Sequence, residues 1–554
     1  MARDGELRGG TRPRPARRFR QPRYTPVKLA SLARSAAPLP LEPGPLARAM
    51  RWLDLPHFFT IAIFLTMLIA AIQPVTDPDF WWHLPTGNWI LSHHAVPRHD
   101  LYTFTVSNHR WITHEWLSEV IVAVLYAAGR LPLISLVFGA VTAAGFLLVY
   151  LSIDRRVNFV IAGLTLALGV AAANPIWGPR IQMITFALSA LTYLWVKRFC
   201  EGRSRALYLL PVVMLVWVNL HAGFVLGYGI LGLALVVEAL RYLTRRPGAM
   251  ALPRLRAMAI VLATSIAVAI LNPNGWDIYL YPFQTGGSPE QQRLIVEWFS
   301  PNFQMSQMWA FAAMIFLIIV GLGLSRRIEP RQLLLLLVGL GLALHSVRNL
   351  SFFMLVAVPA LADYAQQARE RLSLKWPRRV PRTTPLTFAA NVVMIVLILA
   401  IVAVASVPSL RQRVDGKLVA RDFPIKAADF LVAHPPPGNM LNVYGWGGYL
   451  IFRLEGHTPP QPVFIFGDAA LAGDQLLRDY DHLQSLGPDQ AQLLERYQIN
   501  WVIFHANDPI ITELRQIHNS PGQTGWFELG TFDKATLMMR DTPANRAYAV
   551  KSRG

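Results

Sequence analysis

The chain is poor in charge and almost without cysteine. Only 15% of its 554 residues are Asp, Glu, Lys or Arg, where a soluble chain of this size carries about 25%. That shortage, with 53% hydrophobic residues and a mean hydropathy of +0.35, excludes an ordinary soluble enzyme. The single cysteine, Cys200, excludes an internal disulfide and a cysteine metal site. No G-x-S-x-G, Walker A or G-x-G-x-x-G stands in a suitable context, which argues against an ATP-driven or Rossmann-type enzyme. "HH" (His93, His94) and "HE" (His114, Glu115) lack the H-x-x-x-H spacing that sets two imidazoles on one helix face, so a zinc hydrolase is disfavoured. The first apolar run starts only near Phe58 and has no A-x-A pattern, so it is expected to act as an uncleaved anchor.

What is present is a series of long Leu/Ala/Val/Ile runs without period-two alternation, the signature of membrane helices. Eleven lie at about 58–74, 132–151, 159–173, 183–195, 208–218, 224–240, 258–271, 308–324, 333–344, 351–361 and 388–407. Several are shorter than the roughly twenty residues that span a bilayer. They need their flanking aromatic and amide residues to complete them.

Basic residues outnumber acidic ones, 52 to 33, for a formal charge of +19. No aromatic–basic stacking motif accompanies the charge, so no nucleic-acid partner is expected; membrane lipids are. The basic groups fall in every second loop: Arg155 and Arg156, then Lys197 to Arg205, Arg241 to Arg256, Arg326 to Arg331, and "RERLSLKWPRRVPR". The positive-inside rule makes those loops cytoplasmic, along with the Pro/Arg-rich N-terminal tail, residues 1–56, which is expected to be disordered. The transmembrane domain then covers 57–407, with a large first outer loop at 75–131. From residue 408 the composition is that of a soluble, extracytoplasmic α/β domain. There "PIKAADFLVAHP" and "DQAQLLERYQ" read as helices, and "NMLNVY", "PVFIFG", "INWVIF", "GWFELG" and "KATLMMR" as strands. The pattern closes only if "EWLSEVIVAVLYAA", an amphipathic stretch with acids at its start, lies on the outer leaflet without crossing it.

On this topology the polar islands fall on one side. The first outer loop brings Asp77, Asp79, His83, His114 and Glu115; later ones bring Arg180, then Asn219 and His221, then Asn274, then His345 and Arg348. Polar groups at helix ends are costly unless they pair or line a wet cavity, so one shared cavity is expected. A lipid-phosphate-linked donor needs a groove for its tail and a cation for its phosphate, a role open to Arg180, Arg348 or His345. An acceptor hydroxyl or amide needs a carboxylate, Asp77 or Asp79. Trp81, Trp82 and Trp111 either stack on sugar rings or anchor the interface.

"DPDFWWHLPTGNWILSHHAVPRHD" followed by "HEWLSEVIVAVLYAAGRLPLISLVFGAVTAAGFLLVYL" resembles the GT-C superfamily of integral-membrane glycosyltransferases. It looks like the first-loop pattern of protein O-mannosyltransferases and lipid A aminoarabinose transferases. The plan of a spanning bundle with an outer α/β domain is similar to the catalytic subunit of oligosaccharyltransferase. The resemblance implies a polyprenyl-phosphate sugar donor, a lipid, glycan or protein acceptor, and a multi-pass protein of the bacterial inner membrane with a periplasmic C-terminal domain. It implies a catalytic role for Asp77 or Asp79; substrate binding is expected of the other nine polar positions gathered on that side, His83, His114, Glu115, Arg180, Asn219, His221, Asn274, His345 and Arg348. It leaves a divalent cation, Mg or Mn, open as cofactor and supplies no metal ligand. Two departures stand out. "WITHEWL" replaces the Lys-Pro-Pro element before the interfacial helix, and "NVYGWGGYLIF" only faintly echoes the Trp-Trp-Asp acceptor motif. It is read as a strand and a glycine turn. A flippase for a lipid-linked glycan and a non-catalytic scaffold are the rival classes.

Overall fold

The computed structural model describes residues 53–374, 383–456, 461–517 and 525–553. Nearly all of the basic tail and part of the last basic loop lie outside the described residues. Each of the eleven apolar runs forms helix. Seven helices are long and apolar enough to cross a membrane; Leu55–Ala71, Ala206–Leu220 and Pro330–His345 are apolar but shorter. The remaining run lies in Gln182–Cys200, where Thr, Ser, Lys and Arg residues dilute the hydropathy. This is a polytopic membrane protein. Its helices are ended by local chemistry rather than by propensity alone. Asp54 caps the first helix through His57 N at 3.1 Å, and Glu329 caps Pro330–His345 through Gln332 N at 2.8 Å. Helix Leu350–Arg371 is central, 83% buried along its apolar window, and packs on Phe159–Ala173, Trp309–Leu324 and Pro330–His345. Pro385–Leu410 is peripheral, 6% buried, and leans on Leu55–Ala71.

The stretch expected to lie on the leaflet begins a 37-residue helical run, Trp116–Ser152. At 1.5 Å per residue that is about 56 Å, nearly twice the hydrocarbon thickness. Arg130 breaks it, with φ 56° and ψ −157°, two residues before Pro132. Residues 116–129 are therefore a helix of their own, packed against Phe80–His93. Gly87 sits so close to the Glu119 carbonyl that a Cβ there has no room.

The basic loops meet one another. Lys197 Nζ donates to Ser152 O at 2.5 Å, Arg156 pairs with Asp363 at 2.5 Å, and Gln367 Nε2 donates to Arg327 O at 2.9 Å. The polar islands meet at a different place, against Tyr444, Gly445 and residues 467–470 of the C-terminal part, which also carries a sheet. That sheet has the order β1-β2-β4-β3, with β1 Asn439–Asn442, β2 Ile499–His505, β3 Trp526–Phe532 and β4 Ala535–Arg540. β1 runs parallel to β2; β2–β4 and β3–β4 are antiparallel, with Ile503 opposite Leu537. Val502, Ile503, Phe504, Leu537, Met538 and Met539 are buried in its core.

Two expected strands are not strands. "PVFIFG" is an extended segment whose hydrogen bonds go elsewhere. Val463 N donates to Tyr102 O at 2.9 Å, Thr105 Oγ1 to Phe464 O at 2.7 Å, and Phe464 N to Asn442 Oδ1 at 2.9 Å. It tethers the first outer loop to the C-terminal part. "NVYGWGGYLIF" forms a 3₁₀ turn and the helix Gly447–Leu454. Its glycines permit close approach: a Cβ on Gly448 would lie 2.7 Å from Pro78 O and 3.2 Å from the Trp82 ring. Helices Lys417–Asp422, Ile425–Ala433, Ala469–Gln484, Gln490–Arg496, Pro509–Ile517 and Pro543–Arg553 accompany the sheet, the second and fourth in the two stretches expected to be helical.

Candidate functional site

A cavity of about 480 Å³ lies where the first outer loop, the helix ends and the C-terminal part converge. Of the residues singled out in the sequence, Asp77, Asp79, His83, His114, Glu115, Arg180, His221 and Arg348 line it. Asn219, Asn274 and His345 do not. Asn219 Oδ1 accepts from Trp116 Nε1 at 2.7 Å and from Asn272 Nδ2 at 3.1 Å, and Asn274 Nδ2 reaches Thr113 O at 3.4 Å. These amides tie helix ends together behind the cavity wall. His345 is exposed, and its carbonyl accepts from Ser300 Oγ at 3.5 Å.

At one end a guanidinium sits between two carboxylates. Arg180 Nε lies 3.1 Å from Asp77 Oδ2, and Arg180 Nη1 pairs with Glu297. Burial pushes the Asp77 carboxyl up and outweighs the pull of Arg180. Burial would also raise Glu297, but Arg180 and then Arg348 hold it below the usual carboxylate range. Asp79 stands at the start of helix Phe80–His93 without capping it. Its Oδ1 accepts from Trp82 Nε1 at 3.3 Å, and its backbone N–H donates to Asp77 Oδ1 at 3.2 Å. Asp79 makes no ion pair among the described residues. Burial, and then the negative charge of Asp77, push its carboxyl well above the ordinary range. Gly467 leans on the same carboxylate, leaving no space for a side chain.

At the other end the Glu115 carboxylate sits among three imidazoles, one of which, His83, also reaches Glu119 Oε1 through Nδ1 at 3.4 Å. Glu115 Oε1 lies 3.0 Å from His114 Nε2 and 3.3 Å from His221 Nε2; Glu115 Oε2 lies 3.4 Å from His83 Nε2. His221 Nδ1 accepts from Gly223 N at 2.8 Å, so its proton is on Nε2, directed at Glu115. Burial takes His83 and His221 down to about 4, against the raising effect of Glu115. For His114, burial is overcome by Glu115 and its value is raised. Burial would raise Glu115 too, but His114 leads the imidazoles in holding it below the usual range. The box therefore carries one ion pair, His114–Glu115, flanked by two neutral imidazoles. The Tyr281 ring stacks on His114 with centroids 4.0 Å apart.

Arg348 lines the cavity over the Trp298 ring, 4.6 Å from its centroid, and makes no ion pair among the described residues. The tryptophans divide. Trp82 lines the cavity; Trp81 is packed against Phe423 and Tyr449, and Trp111 Nε1 donates to Asp468 Oδ2 at 2.7 Å, so both join the outer loop to the C-terminal part.

The sequence reading missed Glu297, Tyr444 and Asp468, all of which line the cavity; Tyr281, in "LNPNGWDIYLYPF", belongs to its polar islands and lines the cavity too. With 33 acids in the chain, an acid inside apolar "IVEWF" was a usable signal. Tyr444 and Asp468 carry none, because only the fold brings the C-terminal part over the helix ends. A resident divalent cation does not fit. Among the described residues no three His, Cys, Asp or Glu side chains are arranged to hold one, and the Arg180 guanidinium already fills the space between Asp77 and Glu297.

No protein-family model matches the chain, and no curated protein matches it in sequence. Several solved structures are similar to it, two of them as follows. ArnT from Cupriavidus metallidurans, in the apo state, matches with a TM-score of 0.43 and 14% identity, over 87% of this chain and 96% of ArnT. The arabinofuranosyltransferase AftD from mycobacteria matches with a TM-score of 0.44 and 16% identity, over 88% of this chain; the chain spans 41% of AftD.

Proposed function

We propose that the protein is a GT-C-type glycosyltransferase that moves a sugar from a polyprenyl-phosphate carrier to a lipid, glycan or protein acceptor. The work would be done on the side of the membrane that bears the sheet, the periplasmic side of a bacterial inner membrane. The observation that carries the reading is Asp79: a half-buried carboxyl lining the cavity, with no ion pair of its own among the described residues, beside the Asp77–Arg180–Glu297 triad. A carboxylate whose proton affinity is raised is a better general base near neutral pH. Asp79 would take the proton of the acceptor nucleophile as that atom bonds to the anomeric carbon and the carbon–phosphate-oxygen bond breaks. The departing phosphate would keep the bonding electrons and be met by Arg348, the lining cation not engaged by a carboxylate. Arg180, saturated by two acids, would instead hold Asp77 and Glu297 in place.

Mass spectrometry of surface glycolipids and glycans, with and without the gene, tests the class: a sugar should be missing without it. Restoring the gene as Asp77→Asn with Asp79→Asn should leave that sugar missing. Asp79→Asn alone should abolish product with little change in thermal midpoint, because the amide oxygen can still accept from Trp82 Nε1. Full product from the double variant would end the catalytic proposal.

A further inference from the structure

Among the cavity's described lining residues only Val296 is exposed, at 71%; the others are buried or half-buried. The segment that carries Val296 also bares an apolar row. The connection from span Leu252–Leu271 to span Ser306–Leu324 carries helix Asp277–Gly287. Trp276, Leu280 and Phe283 are exposed there at 71%, 55% and 74%, and their spacing of four and three sets them on one helix face. The opposite face is built in: Ile278 and Tyr281 are buried, and Tyr281 stacks on His114 inside the cavity. Both ends of the connection are fixed by spans that are themselves bare to lipid, with Leu271 at 66% and Trp309 at 63% exposed.

A water-facing strap would not present such a row between two membrane anchors. We infer that residues 271–309 form an interfacial strap, its Trp276–Leu280–Phe283 face seated in the leaflet on the sheet side, and that Val296 is the threshold over which the apolar tail of a lipid-borne substrate enters. The bare row lies in the connection between two spans that are themselves bare, so its occupant is acyl or isoprenoid chain. Just behind Val296 stand Trp298 and Arg348. A phosphate drawn in by its tail meets the guanidinium on crossing the threshold, while the tail stays in the leaflet. The identity of that lipid as a polyprenyl phosphate rests on the proposed function; the seating of the strap does not.

Two measurements on the full chain in lipid nanodiscs separate the claims. With Cys200→Ser, a nitrobenzoxadiazole probe on Phe283→Cys should emit to the blue and be quenched by brominated lipid. A probe on Asp415→Cys, 66% exposed on the C-terminal side of the last span, should be quenched by iodide. Iodide quenching at 283 equal to that at 415 would overturn the strap. In the second, Val296 replaced by p-benzoylphenylalanine is irradiated with radiolabelled polyprenyl phosphate. Crosslinking that falls about tenfold with Arg348→Ala supports the threshold. Crosslinking to bulk phospholipid alone, with 283 in lipid, would keep the strap and overturn the polyprenyl-phosphate reading.

Discussion

The two ends of the cavity are built on opposite plans. Around Arg180, one permanent cation serves two carboxylates; around Glu115, one carboxylate meets three imidazoles, of which His83 also reaches Glu119. Both arrangements compensate charge away from water, and removing a partner is destabilising at either end. The difference lies in what protons can do. A guanidinium does not titrate in any working range, so the first end stays charged and leaves only Asp79, outside the triad, free to exchange a proton. The imidazoles do titrate, so the second end responds to pH. One end is suited to holding a reacting group in a fixed field, the other to supplying hydrogen-bond donors and acceptors to a polyhydroxylated ligand.

The contrast can be broken most forcefully at Arg180. Arg180→Met leaves Asp77 buried and unpaired and strips half-exposed Glu297 of its partner, and should cost about 3 kcal/mol, read as a large drop in thermal midpoint in detergent. Equal stability of variant and parent would mean the triad is solvated. Acid should then separate the ends. His83 and His221 sit at about 4 when folded against 6.5 when free. Between those values the unfolded chain binds protons that the folded chain refuses, so stability falls as pH drops through that window, by up to roughly 3 kcal/mol for each imidazole. His114, raised, contributes in the opposite sense: its stabilisation is complete below 6.5 and is lost as pH rises through its folded value. His83→Asn and His221→Asn should flatten the acid-side loss in a pH series of melting curves, while an unchanged profile would place those imidazoles in water.

A smaller effect is expected where the C-terminal part touches the first end. Gly467→Ala must displace the Asp79 carboxylate, and should lower turnover by about a hundredfold with little change in melting. Normal turnover would detach Asp79 from the chemistry. The smallest effect belongs behind the wall. Asn219→Ala removes the acceptor for Trp116 Nε1 and should cost about 1–2 kcal/mol of stability with the Michaelis constant for donor unchanged; a raised constant would return Asn219 to the binding surface.

Much of this was open to reading in the chain. Long apolar runs can satisfy their backbone in lipid only as helices, so all eleven runs were legible as helix. Alternating basic loops foretold two ends of different character, and eight of the eleven singled-out side chains reach one cavity. Asn219, Asn274 and His345 were not separable from these, because a polar group at a helix end looks the same whether it faces the cavity or a neighbouring helix. "PVFIFG" looked like a strand because alternation reports only burial; its hydrogen-bond partner is a loop more than 350 residues away.

Composition and periodicity by themselves determined that this protein crosses a membrane many times, that acids gather after the first helix, and that a mixed α/β part follows the last span. They could do so because burial in lipid and helix geometry are local properties of the sequence. Only the tertiary structure decided that Arg180 is neutralised while Arg348 is not, that Glu115 gathers three histidines, and that Gly467 and Asp468 close the cavity from above. Charge compensation and cavity shape depend on distances between segments far apart in the chain, which no local pattern encodes.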